Sequence, residues 1–294
     1  MITLKCPNCG GLLNPSNKGE LVCSYCGAKS YFSDSEIKDY LQFRTKLLQY
    51  AMNQTDAKQG QLDNNIFHTD TTQKIFITKS NQTVKLNYLF NYVEDGVDVY
   101  ITLDSMVFVF TPSVLHLEKA MTQNIKKVEY PSADLRNLGK YIPTIKIRTE
   151  LNDNSVLVAV AKPENSFPLF AFGYLDPRHV AWIVSRMENI CCLLAFNEMS
   201  HNNLSLNTIL INPRTHEAFF YGGWWNANNN VANKKDLQAI RQVAKQLLQP
   251  EKKIPSEFTE FLNSRPRADA YSDFEYWDTV IENGFGGHKF VKFQ

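Results

Sequence analysis

Apolar residues recur along the chain with two different periods, and the change from one to the other divides it. Short runs of strand length occur at Lys74–Thr78, Val84–Tyr92, Val97–Leu103, Met106–Thr111, Thr144–Arg148 and Val156–Ala161. Runs that alternate or stay continuously apolar over this length read as strands. One stretch, Val114–Val128, interrupts them with a helical period. From Asp176 onward the pattern is mostly helical. Leu175-Asp176-Pro177-Arg178 caps a long apolar helix running to about Met199, with Val180, Ile183, Val184, Met187, Ile190, Cys191 and Leu194 on one side. The expectation is an α+β protein with two lobes, β-rich over 74–174 and α-rich over 175–294.

A further helix precedes the strands. Ser33-Asp34-Ser35-Glu36 offers a capping box, and Ile37, Tyr40, Leu41, Leu47, Leu48, Ala51 and Met52 follow at helical spacing. Good helix formers continue to about Lys58, and Gly60 ends the segment. A helix packed on the following domain is preferred here over a dimerising or partner-binding one. Residues 59–73 are polar and read as a linker, so 33–73 is expected to be a connecting helix and linker.

The 294 residues carry 31 lysines and arginines against 30 acidic residues, a formal charge of +1. That balance excludes a broadly basic nucleic-acid wrapper and an acidic tail. An apolar fraction of 44% is enough for a core. Residues 1–10 hold no apolar run of signal-peptide length, and nowhere do eighteen apolar residues follow one another. The expectation is a cytoplasmic protein with no membrane partner. Its thiols then stay reduced, and paired cysteines point to metal.

Four of the six cysteines form such pairs. Cys6-Pro7-Asn8-Cys9-Gly10 and Cys23-Ser24-Tyr25-Cys26-Gly27 are two Cys-x-x-Cys-Gly units with thirteen residues between them. Two intervening residues let both sulfurs face one ion, and the glycine permits a tight turn whose amides approach the thiolates. The doubled motif resembles a zinc ribbon over 1–32, with Cys6, Cys9, Cys23 and Cys26 as ligands of one structural Zn²⁺. Four thiolates leave no open coordination position, so the ion is structural rather than catalytic. So short a segment buries little core, and metal binding is expected to supply about 10–16 kcal/mol of its folding energy. Four thiolates and Zn²⁺ add a net −2 beside Lys5, Lys18 and Lys29. Nucleic-acid binding is therefore less favoured than protein docking.

The second lobe carries a broader resemblance. His201-Asn202-Asn203-Leu204-Ser205-Leu206-Asn207-Thr208, followed by apolar Ile209–Ile211, resembles the catalytic loop of protein kinases: His-Arg-Asp-Leu, three residues, Asn, then a strand. A turn at Asn212–Thr215 leads to a second apolar strand, Ala218–Tyr221. In kinases that strand ends in Asp-Phe-Gly; here it ends in Gly222-Gly223-Trp224-Trp225. Asp236 opens a helix through Leu248. Ile254–Phe258 and Arg265–Ala270 resemble the last kinase helices and their arginine. The tail Gly284–Phe293 is similar to endings of compact kinase-like proteins of phages and bacteria. The ordered series, over residues 75–294, carries the likeness.

The resemblance also implies where the chemistry is missing. Phosphoryl transfer needs a carboxylate for the hydroxyl, ligands for Mg²⁺ and a lysine on the phosphates. Asn203 stands at the base, Thr208 at the metal-binding asparagine, and Gly222 or Gly223 at the metal-binding aspartate. Asn91–Tyr100 is the best match to the glycine-rich loop and keeps only Gly96. Phe110 takes the place of the strand lysine, which leaves Glu118 on the following helix without a kinase-type partner. The segment from Asn226 to Lys235 is too short for a kinase substrate platform.

This pattern implies a pseudokinase that binds no ATP. The expected function is a non-enzymatic, protein-binding scaffold, in the host cytoplasm if the protein is phage-encoded. A nucleic-acid-associated regulator using the ribbon, and a nucleotide-binding or atypical kinase, are the alternatives. His201 is expected to support the loop backbone rather than to catalyse. Cys191 and Cys192 read as one core thiol and one helix-interface thiol. Trp224 and Trp225 are expected to plug the emptied nucleotide cleft or pack between lobes, and His179 to lie at the surface or in a cap.

Overall fold

Residues 6, 8, 13–15, 20–23, 26–31, 33–52, 71–130, 132, 136–163, 165–230 and 233–289 are described by a computed structural model. Contacts gather the chain into two units: Met1–Lys119 with Thr144–Phe172, and Ala120–Pro143 with Gly173–Phe293.

The first unit begins with three short antiparallel strands, β1 (Leu13–Pro15), β2 (Glu20–Cys23) and β3 (Lys29–Tyr31). Helix α1 (Asp34–Met52) follows, and the capping box forms as read. The Ser33 amide donates to Glu36 Oε2 at 3.2 Å, and the Glu36 amide donates to Ser33 Oγ at 3.4 Å. Its buried stripe is Ile37, Tyr40, Phe43 and Leu47, while Leu41, expected on that stripe, is exposed. The expected extension to Lys58 and most of the linker lie outside the described residues.

Next comes a hairpin, β4 (Thr72–Ile77) and β5 (Thr83–Tyr88), then β6 (Phe90–Glu94), β7 (Val97–Ile101) and β8 (Ser105–Phe110). Helix α2 (Leu115–Lys126) precedes β9 (Thr144–Glu150) and β10 (Val156–Ala161). The last five strands form one antiparallel sheet in the order β6-β7-β8-β10-β9. Val84–Tyr92, read as one run, is two strands, because Tyr88 pairs with Thr72 in the hairpin and Phe90 pairs with Ile101 in the sheet. Phe76, Val84, Leu86 and Tyr88 of the hairpin pack on Tyr100, Val107, Val109, Leu157 and Ala159. Side chains alternate across a sheet, so Phe90, Tyr92, Val99, Ile101, Phe108 and Phe110 lie on the opposite face.

The second unit is built on α3 (Pro177–Phe196), whose start Asp176 caps by accepting from the Arg178 amide at 3.0 Å. This helix is long and apolar enough to cross a membrane, but its apolar side chains are mostly buried within the unit. Cys191 is in the core, and Cys192 Sγ reaches the Ala270 carbonyl at 3.5 Å, the division of the two thiols expected. Helices α4 (Lys234–Leu247), α5 (Ser256–Asn263) and α6 (Ala270–Phe285) complete the helical layer. A hairpin pairs Ile209–Asn212 with Glu217–Phe220, and Met199–Ser200 pairs with Asn228–Asn229.

One ion pair lies fully inside this unit. Arg241 on α4 makes two bonds to Asp273 on α6, at 2.7 and 2.9 Å, and its guanidinium sits 4.1 Å over the Phe261 ring. Glu188 on α3 is buried nearby and holds its proton well above the ordinary carboxylate range. Burial is the main cause and the Asp273 charge the second, with Arg241 opposing. A carboxyl whose folded-state pKa is raised binds more protons folded than unfolded. Its contribution is therefore present below the unfolded pKa and lost as pH rises through the folded one. Glu188→Gln is expected to be more stable than the parent at about pH 8 and to differ little at about pH 4. Urea unfolding at both pH values checks this, and an equal difference at both contradicts it.

Candidate functional site

Three of the paired cysteines meet. The sulfurs of Cys6, Cys23 and Cys26 lie within 4.8 Å of one another, with Cys6 and Cys26 at 3.6 Å. Thiolates sharing a tetrahedral ion at about 2.3 Å stand about 3.8 Å apart, so the spacing suits a metal. Gly27 has φ +71°, and the Cys26 amide approaches Cys23 Sγ at 3.5 Å, the turn expected after a cysteine pair. These three residues are placed to hold a metal ion. Cys9, the fourth expected ligand, lies outside the described residues.

In the first unit, the expected glycine-rich loop is a two-residue turn. Glu94 pairs with Val97, and Asp95 and Gly96 between them have φ of 51° and 81°. This is the tight hairpin geometry that follows strand twist. Gly96 is the one glycine in this turn, and the carboxylates of Glu94 and Asp95 stand beside it. Phe110 is fully buried at the end of β8, 6.3 Å from the Phe108 ring. Glu118 on α2 has found a partner elsewhere. Arg148 of β9 grips it with two bonds, Nε to Oε1 at 2.9 Å and a terminal nitrogen to Oε2 at 3.2 Å. The pairing went unseen in the sequence because β10 separates β9 from β8 in the sheet, and nothing local links Arg148 to Glu118.

In the second unit, the loop His201–Thr208 is held from below by one carboxylate. Asp236, fully buried in the first turn of α4, accepts the amides of His201 at 2.6 Å and Asn202 at 2.7 Å. Burial raises its pKa to about 6, while these two bonds pull the other way. In the sequence Asp236 stands out only as a helix start. Its partners are backbone amides far away in the chain, which leave no trace in residue identity.

His201 is fully buried, edge-on to Trp224 at 5.2 Å and Phe220 at 5.7 Å. Burial lowers its pKa to about 4, with the Gly222 backbone opposing, so the ring is neutral at pH 7. The Thr208 hydroxyl donates to the Asn203 carbonyl at 2.6 Å and accepts the Ser205 amide at 2.9 Å, closing the loop on itself.

Gly222 and Gly223 lie against this loop. A β-carbon on Gly223, whose φ is +72°, would stand 2.9 Å from Asn203 Nδ2 and 3.0 Å from Thr208 Cγ2. One on Gly222 would stand 3.0 Å from Thr208 Cα. Gly222 or Gly223, the expected place of a metal-binding carboxylate, would therefore take a β-carbon only if Asn203 or Thr208 shifted. Asn203, Thr208, Gly222 and Gly223 are thus brought together, within the same unit as His201.

Trp224 is buried within this unit. Its indole donates to the Phe220 carbonyl at 2.8 Å, and Asn124 Nδ2 donates to the carbonyls of Trp224 and Ala227 at 3.1 and 2.7 Å. His179, expected at the surface or in a cap, is instead buried, with Trp182 Nε1 donating to its Nδ1 at 3.4 Å. Its place on the inner side of α3 explains the difference.

No family model matches the sequence, and no curated protein matches it. Solved structures do. Vaccinia related kinase 3 is similar with a TM-score of 0.50 at 12% identity, over 71% of this chain and 91% of that one. WbdD matches with a TM-score of 0.48 at 10% identity, over 68% of this chain and 47% of that one. The Drosophila melanogaster PAN3 pseudokinase matches with a TM-score of 0.43 at 11% identity, over 69% and 61%. The fold is kinase-like.

Replacing Asp236 by alanine leaves the buried His201 amide and the part-buried Asn202 amide without their acceptor, and a buried unpaired amide costs about 1–3 kcal/mol. Asp236→Ala is expected to lower unfolding stability by about 2–5 kcal/mol, and Asp236→Asn by less, because its amide oxygen still accepts. Urea denaturation of both variants checks the order.

Proposed function

We propose that this chain is a pseudokinase that works as a protein-binding scaffold and carries one structural zinc ion. The observation that carries the reading is the close packing at Gly222 and Gly223. Asn203 and Thr208 crowd both glycines, so that a side chain at either position requires them to shift. The two-residue turn at Asp95-Gly96 and the buried Phe110 support it from the other unit. Without a base, metal ligands and a phosphate lysine, no phosphoryl-transfer mechanism remains, since positioning and charge stabilisation supply nearly all of that catalysis. A kinase-like fold then offers shaped surfaces for partners.

Cys6, Cys23 and Cys26, with Cys9 as fourth ligand, would hold the zinc; closed four-thiolate coordination supplies folding energy and no open site for chemistry. Zinc binding by reduced cysteines suits a cytoplasmic setting.

ATP with Mg²⁺ is expected to leave Tm unchanged and to transfer no phosphate to the chain or to a general protein substrate. Asn203→Asp combined with Gly222→Asp is expected to destabilise the protein without creating transfer. Measurable transfer by the parent contradicts the reading. Metal analysis is expected to find one zinc per chain in the parent and none in Cys23→Ser. A parent free of zinc overturns the metal assignment alone.

A further inference from the structure

In the kinase outline, a glycine-rich loop covers the phosphates of the nucleotide. The strands joined by that loop are here β6 and β7, and the face of β6 carrying Phe90 and Tyr92 is already covered. Phe43 of α1 stacks on Phe90, with ring centroids 5.1 Å apart and planes at 9°. Tyr40 tilts against the same ring at 5.8 Å. The far wall comes from the segment after β10. Phe167 meets Phe43 edge-on at 6.2 Å, and Phe170 packs on Tyr40, Phe90 and Tyr92 at 6.3, 5.9 and 5.3 Å. The Tyr40 hydroxyl donates to the Phe170 carbonyl at 3.4 Å. Tyr40 and Leu47 are wholly buried, and Phe43 nearly so.

We infer that α1 is the resident occupant of the aromatic groove formed by Phe90, Tyr92, Phe167 and Phe170, a plug that excludes a flat aromatic ligand from it. The inference deepens the pseudokinase reading, on which it rests, by naming what stands in the nucleotide's place. The occupant meets the groove through the rings of Tyr40 and Phe43 and one hydrogen-bond donor to a backbone carbonyl, all uncharged groups. Displacing α1 therefore opens a site for an uncharged aromatic ring bearing a donor. It does not open one for a triphosphate, because Glu94 and Asp95 stand at the turn and Phe110 replaces the lysine.

The test uses the full chain and a variant, Phe43→Asp, that places a charge in the stacked position and ejects the helix. Adenosine, an uncharged aromatic probe, is expected to leave the parent's Tm unchanged and to raise that of the variant. ATP with Mg²⁺ is expected to shift neither. Adenosine stabilising parent and variant alike, or neither, overturns the inference. ATP stabilising the parent overturns the pseudokinase reading instead, so the two failures are distinguishable. If Phe43→Asp does not fold, hydrogen exchange of the parent decides. Amides from Tyr40 to Leu47 protected alongside those of Phe90–Tyr92 support a seated α1, and exchange at the rate of an unfolded peptide overturns it.

Discussion

A single buried carboxylate sets the arrangement of the second unit. Asp236 takes the His201 and Asn202 amides on its two oxygens, which fixes where the following residues run. Asn203 and Thr208 are then pressed against Gly222 and Gly223, so closely that neither glycine admits a β-carbon without movement. Burying a charge is costly unless hydrogen bonds satisfy it, and two short amide bonds meet that condition here. Thr208 closes the loop on Asn203, and both side chains pack against the glycines.

The first unit has the same character by other means. Glu118 is satisfied by Arg148, so its buried carboxylate does not depend on a lysine from β8. The β6–β7 turn is as short as a hairpin allows, and α1 lies on the sheet face beneath it. Only Phe32 and Ser33 separate β3 of the cysteine-bearing segment from α1.

What could be read in advance follows how local each interaction is. The Ser33–Glu36 box, the Asp176 cap and the strand series depend on neighbours within a few residues, and their residue types announce them. The break at Leu89 left no sign, because β5 and β6 share one apolar run and differ only in their pairing partners. Phe43 was missed because Leu41 offered an equally apolar alternative, and only the groove decides between them. That glycines stand at 222 and 223 is legible as an identity. How closely Asn203 and Thr208 approach them is not, since it depends on tertiary distances.

The pseudokinase reading requires that the chain bind neither a metal ion nor a nucleotide beside Asn203, Thr208, Gly222 and Gly223. Electron paramagnetic resonance of Mn²⁺ with ATP, titrated with the full chain, reads this directly, because a bound ion loses the spectrum of the free complex. The account predicts a spectrum unchanged by the protein. A saturable loss of the free signal at one ion per chain, requiring ATP and abolished by Thr208→Val, would contradict it.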